Sequence, residues 1–345
     1  MKIIDAHTHV YHADEGSPAL YDVAEQNQIA MNSVLSLACT GDLTQNIACA
    51  VCKLTHPGMT YAFAGLEYVS GRDYLEQVKH CVALGFDGMK MLEAKPTTRK
   101  DLNIRLDDAC YDAYFSHLEE TRFPVLFHVA DPPEFWDAEK APDWAVAAGW
   151  VYDGSYPPYS QFYEEVDNVL RKHPKLHAIF AHFYFLSGDP DAAQRFLDEH
   201  PNVSLDLTAG VEMYVNFSKD PEFWRGFLTK NADRIIYGTD STDEPLGETG
   251  SLLDSYAGAE LRCLRTSDEF DHFQYSFRGL ALPEEALEQI LHANYEKYVD
   301  PIPRKMDIPG LIEEADYLIR YISDTAQVRT MEKMRGILSG ILSQA

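Results

Sequence analysis

The residues best suited to chemistry are imidazoles and a carboxylate, each closing a short apolar run. The first run ends in Asp5-Ala6-His7-Thr8-His9, and later ones end in Phe127-His128, Ala181-His182 and Gly238-Thr239-Asp240. In an extended segment, residues two apart project to one side, so His7 and His9 can approach the same ion. If the runs are parallel strands, His7, His9, His128, His182 and Asp240 converge on one rim. Three imidazoles and a carboxylate suit zinc, or another borderline divalent cation such as manganese, at ligand distances of about 2.0–2.2 Å. A lone histidine at a strand end is more often a structural hydrogen-bonder, and the chain has 13 histidines. The repeated placement at strand ends is what sets these apart.

The elements that must position them recur as a strand-like run followed by a helical pattern. The strand candidates are residues 2–6, 33–38, 60–66, 88–92, 124–128, 177–181, 203–207 and 234–238, rich in Val, Ile, Leu, Phe and Met without clean alternation. Parallel strands covered on both faces read this way. Helical stretches over 72–84, 107–122, 162–173, 191–200 and 221–231 lie between them. Eight such alternations predict an α/β fold closed as a (β/α)8 TIM barrel over residues 1–300. A doubly wound open sheet is the runner-up, but no Gly-rich phosphate loop follows the first strand. Residues 131–160, with Trp136, Trp144, Trp150 and five prolines, predict an ordered aromatic-rich lid after strand five. Residues 301–345 predict a C-terminal helical extension, apolar at helical spacing from Leu311 to Ile341, that either pads the barrel or joins two copies as a homodimer.

Composition narrows the partners. With 55 acidic against 29 basic residues the formal charge is −26, which disfavours nucleic acid and anionic membrane surfaces and points to a small-molecule substrate. No apolar stretch approaches the ~20 residues needed to cross a bilayer, and no signal peptide is visible. A cytoplasmic location with reduced cysteines is therefore expected. Cys49 and Cys52 form a C-x-x-C inside a helical stretch, which reads as two buried small residues one turn apart.

The chain resembles the amidohydrolase superfamily, in the family-2 type of TIM-barrel metal-dependent hydrolases that also includes non-oxidative aromatic decarboxylases. The resemblance rests on Ile4-Asp5-Ala6-His7-Thr8-His9, Gly88-Met89-Lys90-Met91, Pro124-Val125-Leu126-Phe127-His128, Ile179-Phe180-Ala181-His182, Val203-Ser204-Leu205-Asp206-Leu207, residues 234–240 and Ile290-Leu291-His292-Ala293-Asn294, in that order over about residues 1–300. It implies that His7, His9, His128 and Asp240 hold one metal per chain and that His182 faces substrate. In binuclear relatives a strand-four lysine bridges two metals, which makes Lys90 and His182 candidates for a second metal or for substrate. Leu92-Glu93-Ala94 departs from the His-Pro step that relatives often show. Glu93 therefore either enters the site as an extra acid or caps the next segment.

A divalent metal with an open position makes water a nucleophile near neutral pH. Asp240 as base and His182 at the substrate carbonyl complete the parts for hydrolysing an amide, ester or lactone. Non-oxidative decarboxylation of an aromatic or unsaturated acid is the alternative, with Arg72, Lys95 and Arg99 as candidate carboxylate partners. A non-catalytic ligand-binding barrel comes last. Trp136, Tyr156 and Tyr214 are candidate pocket residues, as are Glu67, Glu212 and Asn216. Asp206 suits a partner for a ligand histidine, while Asp243 and Glu244 read as helix-start acids.

Overall fold

Strands follow one another around the sheet in chain order: β1 Ile4–His9, β2 Met31–Leu35, β3 Thr60–Gly65, β4 Gly88–Ala94, β5 Val125–Val129, β6 Ala178–Phe180, β7 Val203–Asp206 and β8 Ile235–Ile236. All of these pairings are parallel. A short ninth piece, β9 Ser241–Thr242, pairs with β1 through Thr8 and His9. β8 and β9 are the two ends of one continuous segment, whose first half lies on β7 and whose second half lies on β1. Between them Ala6 N donates to Tyr237 O at 3.1 Å and Asp240 N to His7 O at 2.8 Å. The ring closes there, as a TIM barrel with an interrupted eighth strand. This computed structural model describes residues 1–208, 211–243, 252–272 and 275–344.

Burial explains the strand composition. Ile4, Ala6, Met31, Leu35, Phe63, Leu126, Ile179 and Ile236 fill the inside of the barrel, and Tyr295, Tyr298 and Val299 join them. The opposite faces of the same strands, such as Met89, Met91, Val125 and Phe127, pack under the outer helices. With both faces covered, the apolar runs have no reason to alternate. Gly88 is needed where the Phe63 ring fills the interior, because a Cβ there would lie 2.5 Å from that ring. The segment after Glu284–Glu288 fastens the barrel: Asn294 Nδ2 donates to Ala232 O (2.6 Å) and Ile235 O (2.7 Å), and Tyr295 OH donates to Ser33 Oγ (2.6 Å).

The lid is ordered by its own small core. Phe135, Ala145 and Tyr152 are buried together, with Trp136, Trp150 and Tyr156 packed against them. Helices Ile308–Leu318 and Thr325–Gln344 bury Leu311, Leu318, Met331, Met334 and Leu338 in the same core as the outer barrel helices. Cys49 and Cys52 are both buried in helix Gln45–Thr55. Among the elements that escaped the sequence reading are helix Val211–Lys219 and an antiparallel hairpin of β10 Glu269–His272 on β11 Tyr275–Arg278. The hairpin is largely exposed and polar, so it carries little hydrophobic pattern to read.

Candidate metal centre

β1 is longer than its apolar run suggests, so His7 and His9 are strand residues rather than loop residues. Each has its Nδ1 tied down. His7 Nδ1 lies 3.0 Å from Asp206 Oδ2, and a carboxylate only accepts, so this nitrogen carries the proton. His9 Nδ1 likewise donates to Leu35 O at 2.8 Å. The neutral rings therefore aim Nε2 lone pairs outward, and both aim at Asp240 Oδ1, at 3.4 Å from His7 and 3.2 Å from His9. Their ligand atoms fall within 4.8 Å of one another. Two lone pairs facing a carboxylate oxygen repel unless something positive lies between them, so this donor set fits a divalent cation.

Long-range contacts hold the three ligands in place. Asp5 accepts from His7 N (3.1 Å), Thr239 N (3.1 Å) and Thr239 Oγ1 (2.6 Å), bracing the end of β1 against the segment that carries Asp240. Burial pushes the Asp5 carboxyl up to about 7 despite those hydrogen bonds. Gly238 permits the approach, since a Cβ there would lie 2.7 Å from Thr208 Oγ1 and 3.0 Å from His7 Cβ. Asp240 itself sits at φ 56° and is the most open of the three, with its side chain 38% exposed. Burial works to raise its carboxyl, but the imidazoles of His9, His7 and His182 around it hold it well below the usual carboxylate range.

Lys90 Nζ stands 3.0 Å from His7 Nε2, and burial lowers its amine to about 8. His182 and His128 form the opposite wall. Their rings are 4.7 Å apart, with His182 Nε2 at 3.1 Å from His128 Nδ1, and the His182 ring is 5.6 Å from His7. Burial holds both at about 4, so both are neutral near pH 7. His128 thus lies across His182 from the His7–His9–Asp240 group. The His182 amide donates to Asp206 Oδ1 at 2.8 Å, so Asp206 touches both walls. The backbone from His182 to Phe185 runs through four consecutive left-handed residues, φ 51–57°, without a glycine. Phe183 packs on Phe217 and Trp224, Tyr184 packs on Phe180 and Phe196, and Phe185 stacks on His182. Aromatic burial thereby offsets a backbone cost of roughly 1–2 kcal/mol per residue.

The other candidates fall elsewhere. Glu93 does not cap the next segment. It is a buried residue of β4 whose Oε1 accepts from Tyr68 OH at 2.8 Å, and burial raises its carboxyl to about 7. Trp136 and Tyr156 belong to the lid core, Trp136 donating to Pro157 O and Tyr156 lying under Lys100. Tyr214 is buried and donates to Leu207 O. Glu67 folds back on Val69 and Ser70, Asn216 bonds Ser187, and Glu212 Oε1 is buried without a partner among the described residues. Asp243 is not a helix-start acid: it accepts from Tyr11 N and His12 N, pinning the loop after β1. Glu244 lies outside the described residues.

All three candidate carboxylate partners are engaged. Arg72 grips Glu314 at 2.9 and 2.7 Å, Lys95 contacts both oxygens of Asp131, and Arg99 faces Glu165 at 3.6 Å. Asp5 and Asp131 went unread as site residues because their partners are remote or in the lid. The only sequence signal for Asp5 was its place in the first motif.

Comparison with known proteins agrees with this architecture. Among solved structures, a 4-oxalomesaconate hydratase from Rhodopseudomonas palustris superposes with TM-score 0.53 at 14% identity, over 87% of this chain and 96% of that one. A 2,6-dihydroxybenzoate decarboxylase from Rhizobium gives 0.55 at 13% identity, over 86% and 98%. A dihydroxybenzoic acid decarboxylase from a Polaromonas species, holding manganese and the inhibitor 2-nitroresorcinol, gives 0.50 at 15% identity, over 86% and 96%. A sequence search of curated proteins finds no match. The family model for amidohydrolases matches residues 4–298, which carry every strand of the barrel and the whole histidine–aspartate centre, and the chain belongs to that family.

Proposed function

We propose that this protein is a metal-dependent hydrolase of a small amide, ester or lactone, holding one zinc or manganese ion per chain on His7, His9 and Asp240, with His128 behind His182 on the facing wall. The observation that carries this reading is the convergence of two Nε2 lone pairs on one Asp240 oxygen. When bound there, the metal supplies Lewis acidity and lowers the pKa of water towards 7. Asp240 is placed to take the proton from an attacking water and return it to the leaving group. His182, neutral and buried beside His7, gives its Nε2–H to His128 Nδ1 and so presents its Nδ1 electron pair. That pair can accept a proton or a hydrogen bond from the attacking water or from a substrate N–H or O–H. Lys90 Nζ lies 3.0 Å from His7 Nε2, and we assign it to substrate rather than to a second metal.

Hydrolysis is placed ahead of decarboxylation because Arg72, Lys95 and Arg99 already sit in ion pairs, which leaves Lys90 as the cation a carboxylate substrate would have to meet. No helix of the described residues is long and apolar enough to cross a membrane. All six cysteines are free thiols, five of them buried, and we place the protein in the reducing cytoplasm on that basis.

The test is metal content per chain by plasma mass spectrometry on wild type and Asp240→Asn, followed by product analysis on lactones, amides and aromatic acids. About one metal in wild type, lost or inert in the variant, with water consumed and no carbon dioxide released, is the expected result. Carbon dioxide release without water consumption replaces hydrolysis by decarboxylation, and no stoichiometric metal leaves a binding protein.

A further inference from the structure

Asp131, the first residue of the lid, is 3% exposed and lies three residues beyond His128, just past Ala130 at φ 59°. Its carboxylate is surrounded by donors. Lys95 Nζ contacts Oδ1 at 2.8 Å and Oδ2 at 2.9 Å, His128 Nε2 contacts Oδ1 at 3.1 Å, and the Tyr152 hydroxyl donates to Oδ2. Because the carboxylate can only accept, His128 must present Nε2–H to it. In the neutral ring that leaves the lone pair on Nδ1, the nitrogen 3.1 Å from His182 Nε2.

Two of the groups around Asp131 come from the lid. Tyr152 supplies a hydrogen bond, and the Trp150 ring lies 4.2 Å under Lys95 Nζ. Tyr152 is itself held by Trp136 and Tyr156, at ring separations of 4.7 and 4.8 Å. We propose that Asp131 is a positioning residue that fixes the Nε2–H tautomer of His128, and that Tyr152 locks it there only while the lid is docked. His128 then turns its Nδ1 electron pair towards His182 Nε2 in the docked state, so lid position also bears on which nitrogen of His182 carries the proton.

This rests on the reading that His128 serves the site, but its test does not depend on that reading. The tautomer is the same whether Nδ1 faces zinc or His182, and no turnover is needed to observe it. Long-range ¹H–¹⁵N spectra of full-length, ¹⁵N-histidine-labelled protein with zinc added, with His128 assigned by its loss in His128→Gln, report the two ring nitrogens separately. The wild type is expected to show Nε2–H at His128. Asp131→Asn can turn its amide towards Nε2, and the Nε2–H form is expected to cease being the major one. Tyr152→Phe removes one charge-assisted hydrogen bond, so Nε2–H should exchange with water at least about tenfold faster. Nδ1–H in the wild type overturns the proposal. So does a His128 pattern unchanged in Asp131→Asn, or, where that variant does not fold, an exchange rate unchanged in Tyr152→Phe.

Discussion

The two walls of the site are built by different means. On the wall of β1 and the eighth strand, ligands follow from the backbone: His7 and His9 sit in a strand, and main-chain bonds from Ala6 and Asp240 join the two segments. On the wall of β5 and β6, His128 and His182 are set by side chains, through Asp131 and the lid on one side and a left-handed aromatic turn on the other. The first arrangement resists distortion because moving one ligand breaks a sheet. The second can change when a loop moves. A metal-holding wall gains from the first property and a substrate-facing wall from the second.

Substitutions that separate the walls test this contrast, beginning with the largest expected effect. His182→Asn should lower turnover by about 10²–10³ while leaving bound metal near its wild-type level, since the residue stands outside the His7–His9–Asp240 group. Loss of metal in this variant would merge the two walls into one. Asp206→Asn touches both, through His7 Nδ1 and the His182 amide, so zinc affinity measured by chelator competition should weaken about 10–100-fold and turnover should fall with it. An effect on only one of the two readouts would show that Asp206 serves a single wall.

Gly238→Ala probes the backbone-built wall alone. Its Cβ would meet Thr208 and His7, so denaturant titration should show a loss of about 1–3 kcal/mol, and an unchanged midpoint would mean that the segment yields easily. An effect of similar size concerns acid. His177, just before β6, stacks on Tyr298 at 3.9 Å, and burial lowers its pKa from 6.5 to about 4. The unfolded chain takes up that proton as pH falls through 6.5, whereas the folded protein does not until about 4. Stability is therefore lost on acidification across that window, by up to about 3 kcal/mol, and is flat above it. Urea midpoints at pH 7 and 4.5 should draw closer together in His177→Phe than in wild type. An equal separation would remove His177 as the cause.

Legibility in the sequence followed the same division. The strand cores, the H-x-H pair and Asp240 could be read because each is local: an apolar run and what ends it. Asp206 was readable as a partner because it lies inside a recognisable strand. Asp5 was passed over because its meaning depends on Thr239, 234 residues away. Asp131 sits in a segment with no periodicity, and nothing local distinguishes it from the lid's other acids. Glu93 kept two readings because β4 runs two residues beyond its apolar core, which makes this carboxyl a strand residue. The pairing of Arg72 with Glu314 joins the barrel to the C-terminal extension, a contact that no spacing rule reaches.

The left-handed turn from His182 to Phe185 bears on how this protein would respond to selection. Phe183 and Tyr184 are anchored by burial, but Phe185 is only half-buried and still sits at φ 51°. A library screened for heat resistance alone should enrich Phe185→Gly or Phe185→Asn, residues that adopt this backbone at less cost. Such winners would surrender the ring that stacks on His182. Thermal robustness and catalytic aim would then compete at a single codon, and breeding for one without assaying the other would lose the enzyme while preserving the barrel.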